Sequence, residues 1–217
     1  MTFLDRADAG RKLAAALNSW KDQDPVVLAL PRGGVAVAAP IAVALAAPLD
    51  IVLVRKIGAP SHPELAMGAV VDGDEPVVVR NEDVIRAARV GPQQFEEGRV
   101  RALAEIERRR QLYLGDAARA PINARSAIVV DDGVATGATA IAALRAVRRR
   151  EPRSLTLATP VAAPDALALL RAEADDVVCL EAPAAFEAVG AFYADFRQLD
   201  DDDVAAILAA HRPAATP

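Results

Sequence analysis

The chain has 217 residues and a formal net charge of −5, enough for one ordinary domain, and the acidic balance argues against a nucleic-acid or anionic-membrane partner. Hydrophobic residues make up 53% and aromatics only 4%, so small aliphatic side chains must fill the core, as where helices cover both faces of a parallel sheet. No apolar run nears the ~18 residues of a membrane span, Asp5, Arg6 and Asp8 leave no room for an apolar leader, and the single cysteine, Cys179, precludes an internal disulfide; a cytoplasmic protein is expected.

Residues 6–17 show helical spacing, with Leu13 and Leu17 four apart and Asp5 placed as N-cap. A strand is predicted at Val26–Leu30, a break at Pro31-Arg32-Gly33-Gly34, and an Ala/Val-rich helix to about Ala46. Ile51–Val54 reads as the next buried strand. A long excursion follows, from Arg55 to about Asn123. It carries a hairpin, Gly68–Val71 with Val77–Arg80 around Asp72-Gly73-Asp74, and charged helices near 82–89 and 92–113. An insertion of this kind after a sheet strand is often an active-site lid. Ser126–Val130, Leu155–Thr159 and Val177–Leu180 are three further strands, separated by helices at about 138–149 and 165–173. The basic runs Arg108–Arg110 and Arg148–Arg150 fall late in predicted helices, where they suit the dipole and project into solvent.

The last part of the chain is a tail, Pro183 to Gln198, holding Phe186, Phe192, Tyr193 and Phe196, half of all the aromatics. They form either a mini-core for the chain end or a cap whose ring stacks on a planar ligand. A final helix near 203–211 has Asp200 to Asp203 at its start, an acidic run read as a cap rather than a metal site. The alternation of strands and helices implies an α/β fold, a doubly wound, mainly parallel sheet with helices on both faces. The whole chain, 1–217, reads as one domain with an insertion at about 57–123 and a small C-terminal hood at about 183–217. In such sheets ligands bind beyond the carboxyl ends of the strands, which singles out the loops after Leu30, Val54 and Val130.

The stretch Ile128-Val129-Val130-Asp131-Asp132-Gly133-Val134-Ala135-Thr136-Gly137-Ala138-Thr139 carries the chemistry. An apolar strand ends in two acids, and a short turn bearing Gly and Thr opens a helix. The free amides of a helix N-terminus attract a phosphate. Gly137 permits close approach, and Thr136 and Thr139 add hydroxyl donors. Asp131 and Asp132 would repel a phosphate but suit a vicinal diol, and can serve a hard cation directly or from the outer shell. A phosphate beside a diol describes a ribose 5-phosphate. Neither a P-loop nor a G-x-G-x-x-G after a strand is present.

This segment resembles the signature of type I phosphoribosyltransferases that binds 5-phosphoribosyl-1-pyrophosphate (PRPP). The wider chain resembles a stand-alone branch of that family through L-P-R-G-G-V at 30–35, R-K-I-G-A-P at 55–60, E-L-A-M-G-A-V at 64–70 and F-Y-A-D-F-R-Q at 192–198. The resemblance implies a role in nucleotide metabolism: transfer of phosphoribosyl from magnesium-bound PRPP to an acceptor, with a heterocyclic base as the default. It places residues 135–139 (Ala135, Thr136, Gly137, Ala138, Thr139) on the 5-phosphate and Asp131 and Asp132 on the ribose. It puts Arg32, Gly33, Gly34, Arg55 and Lys56 on the pyrophosphate. It also implies a flexible loop within Ala59–Met67, with His62 and Glu64 as polar members, and a homodimer, since many relatives are dimers. Phe186, Phe192 and Tyr193 are the candidates for stacking on the acceptor. A PRPP-binding regulator without turnover is the alternative, and a phosphorolytic or hydrolytic use of the same site is a second.

Overall fold

The computed structural model describes residues 2–60, 62–73 and 75–211. Asp5 caps α1 (Arg6–Ala16) by accepting a hydrogen bond from the Asp8 amide. β1 (Pro25–Ala29) leads through the Pro31–Gly34 turn into α2 (Gly33–Leu45), and β2 (Leu49–Ile51) follows. The excursion then forms β3 (Val54–Ala59), β4 (His62–Val71), β5 (Val77–Arg80), α3 (Glu82–Ala87) and α4 (Pro92–Leu114). The chain returns as β6 (Ser126–Val130), α5 (Ala138–Arg148), β7 (Ser154–Val161), α6 (Pro164–Leu170) and β8 (Asp176–Glu181). After a short 3-10 turn at Val189–Phe192, α7 (Asp201–Ala210) closes the described chain, with Asp200 and Asp203 forming a capping box at its start.

β2-β1-β6-β7-β8 form one sheet in which every pairing is parallel. Its central strands are apolar at nearly every position because both faces are covered. Along β1, Val27 and Ala29 join the core under α1, α2, α4 and α7, while Val26 and Leu28 join the core under α5 and α6. β6 divides its side chains in the same way, with Ile128 and Val130 on the first face and Ala127 and Val129 on the second. Each fully buried Val or Leu contributes about 1.5–3 kcal/mol, so this two-faced core fixes which strand ends lie side by side. The expected doubly wound sheet is what forms.

Three expectations need correction. The predicted strand Ile51–Val54 splits, with Leu49–Ile51 in the parallel sheet and Val54 opening an antiparallel one, β3-β4-β5. Asp72 causes the break: its carboxylate accepts the Leu53 amide (2.8 Å) and its own amide donates to the Leu53 carbonyl (2.9 Å), pulling the chain off the parallel sheet. The segment Ala59–Met67 is mostly strand, paired with β3 through a bulged register, and His62 and Glu64 are exposed on it. The predicted hairpin forms, with Gly68 opposite Arg80 and Val71 opposite Val77; Asp74 lies outside the described residues. Finally, the basic runs do not simply project into solvent. Arg108 reaches Asp201 at 3.6 Å, Arg148 pairs with Asp175 at 2.8 Å, and Arg150 donates to the Ala120 carbonyl. Carboxylates on neighbouring elements account for the first two, which a helix-by-helix reading does not see.

Candidate functional site

The strand order reverses between β1 and β6, so a crevice opens beyond their carboxyl ends. β1 delivers the turn Pro31-Arg32-Gly33-Gly34, whose Pro31–Arg32 peptide is cis, and β6 delivers Asp131 and Asp132. The two turns touch. A Cβ on Gly33 would stand 1.8 Å from the Asp132 Oδ2, so any side chain there must displace the carboxylate. Asp131 accepts the Asp132 amide on Oδ1 at 2.9 Å. Burial, and next the charge of Asp132, push the Asp131 carboxyl well above the usual carboxylate range.

Asp132 has a further partner, from the start of the chain. Arg6, on the first turn of α1, donates from Nε to Asp132 Oδ2 at 2.7 Å, and the two side chains are only 10% and 16% exposed. The Arg6 guanidinium lies over the Phe196 ring at 3.9 Å and donates from Nη1 to the Arg197 carbonyl. The Tyr193 hydroxyl donates to the Asp132 carbonyl at 2.6 Å. The start of the chain and the aromatic tail thus meet at the acidic pair, joined also by a parallel bridge between Phe3 and Tyr193.

Beyond the acids, the turn crosses to β7, with the Val134 amide donating to Val161 and the Ala163 amide to Val134. Gly137 adopts φ 81°, a left-handed conformation that glycine takes at little cost. No side chain caps α5, whose first amides therefore lack intrahelical partners. Around this turn is a hollow of roughly 160 Å³, lined by Asp131, Gly133 and residues 134–140. Ala138 and Thr139 also line a larger cleft of roughly 460 Å³ between α5 and the antiparallel sheet, with Lys56 and Arg80 on its far wall.

The remaining predicted residues are spread around this edge. Lys56 and Arg55 are exposed on β3, in the second sheet rather than at the end of a parallel strand. Arg32 stands 3.9 Å from Asp201, which also accepts the Tyr113 hydroxyl at 2.5 Å. Desolvation, followed by that hydrogen bond, pushes the Tyr113 phenol up to about 12. Phe186 and Phe192 stack on each other at 5.9 Å, both half-buried. Tyr193 is 3% exposed and wedged between Phe3 and Phe196, so its ring belongs to the mini-core. Cys179 is partly buried with its Sγ 3.1 Å from the Glu181 carbonyl, and burial pushes its thiol up. Among the described residues, no cluster of three or more His, Cys, Asp or Glu side chains could hold a metal ion. Nor is any helix among them long and apolar enough to cross a membrane.

A family profile described as "Phosphoribosyl transferase domain" matches residues 3–197. The chain belongs to the phosphoribosyltransferase family. It is 44% identical over 211 residues to the Mycobacterium tuberculosis H37Rv protein named "Putative phosphoribosyl transferase Rv0571c", and equally to its counterpart MT0597 in strain CDC 1551. Each match takes in 97% of this chain and 47% of the relative, so the chain spans about half the length of the curated relatives it matches. The crystal structure of TT1426 from Thermus thermophilus is 43% identical, superposes with a TM-score of 0.83, and is matched over 98% of this chain and 100% of that one. The phosphoribosyltransferase match takes in the α1 start, both acidic residues and the aromatic tail, and stops before α7.

Arg6 is the residue of this edge that sequence reading missed. It lies 126 positions from Asp132, and as the first residue of an amphipathic helix it carries no local mark of a site. The one available signal was its place beside the N-cap Asp5, which fixes where the helix begins and hence where Arg6 points.

Proposed function

We propose that the chain binds PRPP together with magnesium and transfers the phosphoribosyl group to a nitrogenous acceptor, releasing pyrophosphate. The observation that carries this reading is that Asp131 lines the hollow at the uncapped start of α5, with Asp132 next to it on the same turn. An anion cradle next to two carboxylates suits a ribose 5-phosphate, with its phosphate at one end and its diol at the other. In this reading residues 135–139 hold the 5-phosphate, and the ribose 2- and 3-hydroxyls donate to Asp131 and Asp132. Binding energy from the remote phosphate then fixes the geometry at C1.

Among the described residues no third ligand joins Asp131 and Asp132, so these two would hold a hard cation only in part, directly or from the outer shell, rather than as a cage built by the protein. Bound there, magnesium supplies neutralisation of the leaving pyrophosphate's charge. In this reading the backbone of the Arg32-Gly33-Gly34 turn provides the protein's own share of that neutralisation, together with the charges of Arg55 and of Lys56, the latter lining the cleft beside α5. The acceptor nitrogen donates its lone pair to C1 as the C1–O bond breaks, and that bonding pair leaves on pyrophosphate. Positive charge developing on the sugar is met by the carboxylates below it. With Tyr193 committed to the mini-core, Phe186 and Phe192 are the rings left for an aromatic acceptor.

Calorimetric titration with PRPP, with and without magnesium, tests the reading against Asp132→Asn. Magnesium-dependent binding that weakens at least tenfold in the variant is expected, followed by pyrophosphate release when an acceptor panel is supplied. Absence of binding to correctly folded wild-type protein would sink it.

A further inference from the structure

We infer that Arg6 is a positioning residue for the donor site, holding the Asp132 carboxylate so that its free oxygen faces the ribose hydroxyls. The inference rests on the PRPP reading above and adds to it a residue outside the signature segment. Its basis is geometric. Arg6 engages one oxygen only, Oδ2, through one nitrogen, Nε. A carboxylate offers about four lone-pair sites, so with Oδ2 held the side chain keeps acceptor capacity for a hydroxyl, even beside the neighbouring Asp131 carboxyl that it also meets.

The guanidinium is itself held from two sides. Its face rests on Phe196 at 3.9 Å, and Nη1 is bonded to the Arg197 carbonyl at 2.8 Å. A flexible surface arginine would lose ordering entropy on reaching a carboxylate; here stack and carbonyl have already fixed the side chain, which is 10% exposed. The backbone of Asp132 is fixed as well, by the Tyr193 hydroxyl. Gly33 packs so close to Oδ2 that a methyl group there would overlap it, which restricts the carboxylate further. Arg6 also brings a positive charge to the paired negative charges of Asp131 and Asp132, and so it offsets their mutual repulsion before any ligand arrives.

A competing geometry has the opposite sign. If Arg6 were a latch that the diol must displace, removing it would tighten binding. The stack and the carbonyl bond argue against displacement, because both would be broken to free Asp132. A third possibility is that Arg6 contacts pyrophosphate directly, which would show as a loss of pyrophosphate affinity.

The test uses ribose 5-phosphate and magnesium pyrophosphate as separate calorimetric ligands on wild type, Arg6→Met, Arg6→Lys, Asp132→Asn and the Arg6→Met/Asp132→Asn double variant. Arg6→Met is expected to weaken ribose 5-phosphate about tenfold and leave magnesium pyrophosphate within about twofold, with Arg6→Lys in between. The double variant should bind no worse than Asp132→Asn alone, since Arg6 acts through that carboxylate. Unchanged or tighter ribose 5-phosphate binding in Arg6→Met, an equal loss for pyrophosphate, or additive losses in the double variant would each overturn the assignment. Should Arg6→Met fail to fold, Phe196→Leu removes the stack while keeping the charge. A loss of about threefold confined to ribose 5-phosphate is then expected, and wild-type affinity would overturn the role. If wild-type protein binds neither ligand nor PRPP, the functional reading itself fails, and Arg6 has no donor site to position.

Discussion

Gly33 and Asp132, on turns from two neighbouring strands, are packed so closely that a methyl group on the glycine would overlap the carboxylate oxygen, at 1.8 Å. The obstructing atom is the one held by Arg6, so the carboxylate cannot swing aside without breaking that pair. Gly33→Ala is therefore expected to fold with a loss of about 1–3 kcal/mol, the usual cost of overpacking. PRPP affinity should fall further than that stability loss implies, by about tenfold or more. Parallel thermal melts and calorimetry check both; unchanged affinity would mean that the turn relaxes freely.

Asp72 is the buried charge that directs the chain out of the parallel sheet. Its side chain is 3% exposed, paired with Arg119 at 2.6 Å and bonded to the Leu53 amide. Burial pushes its carboxyl up, while the Arg119 charge and hydrogen bond pull it back. Arg119→Met leaves a buried carboxylate poorly compensated, and should cost about 3 kcal/mol at neutral pH. Removing the arginine raises the folded carboxyl further, so the folded state binds its proton more tightly than the unfolded chain. The deficit should shrink as pH falls through that raised value. Urea melts at neutral and mildly acidic pH would show it; a deficit that grows at the lower pH contradicts the account.

The elements legible in the sequence were those that announce themselves locally. Ser126–Val130 is apolar beyond its first residue, and Asp131–Thr139 presents acids, glycine and threonines in the order from which a site for a phosphate beside a diol is read. Asp5 marked the start of α1, and Asp200 the start of α7. What stayed hidden depends on pairs far apart in the chain. The split after Ile51 follows from Leu53 meeting Asp72, and the site's cation at the acidic pair comes from Arg6, on an otherwise ordinary helix. Tyr193 had the composition of a stacking ring, but the bridge to Phe3 gave it a different neighbour. Hydrophobic period and motif spacing report what one segment favours; they carry no information on which distant side chain satisfies it.

On α4, Glu105 accepts from both Arg108 and Arg109, and these hydrogen bonds hold its carboxyl down at about 2. A depressed carboxyl contributes stability above its unfolded value and loses it as pH falls through the folded one. Arg108 is exposed and Arg109 and Glu105 are partly so, so the contribution is capped at about 1 kcal/mol. Glu105→Gln should be slightly less stable than wild type at neutral pH, and the two melting curves should converge as pH falls from 4.5, the ordinary value for a free glutamate, to about 2. A constant difference across that range would place the effect in packing rather than charge.

Tyr193 separates a structural role from an acceptor role. Its hydroxyl donates to the Asp132 carbonyl at 2.6 Å, and desolvation pushes its phenol above the ordinary tyrosine value. Tyr193→Phe keeps the ring between Phe3 and Phe196 but leaves that carbonyl without its donor, at a cost of about 1 kcal/mol. The acidic turn loosens, so PRPP affinity should drop a few-fold while the KM for an accepted base stays the same. Tyr193→Leu, which removes the ring, should cost about 3 kcal/mol and still leave acceptor selectivity unchanged wherever the protein remains folded. Were acceptor KM to rise in the leucine variant at constant PRPP affinity, the ring would have to leave the mini-core during turnover, and the tail would be a moving cap rather than a fixed wall.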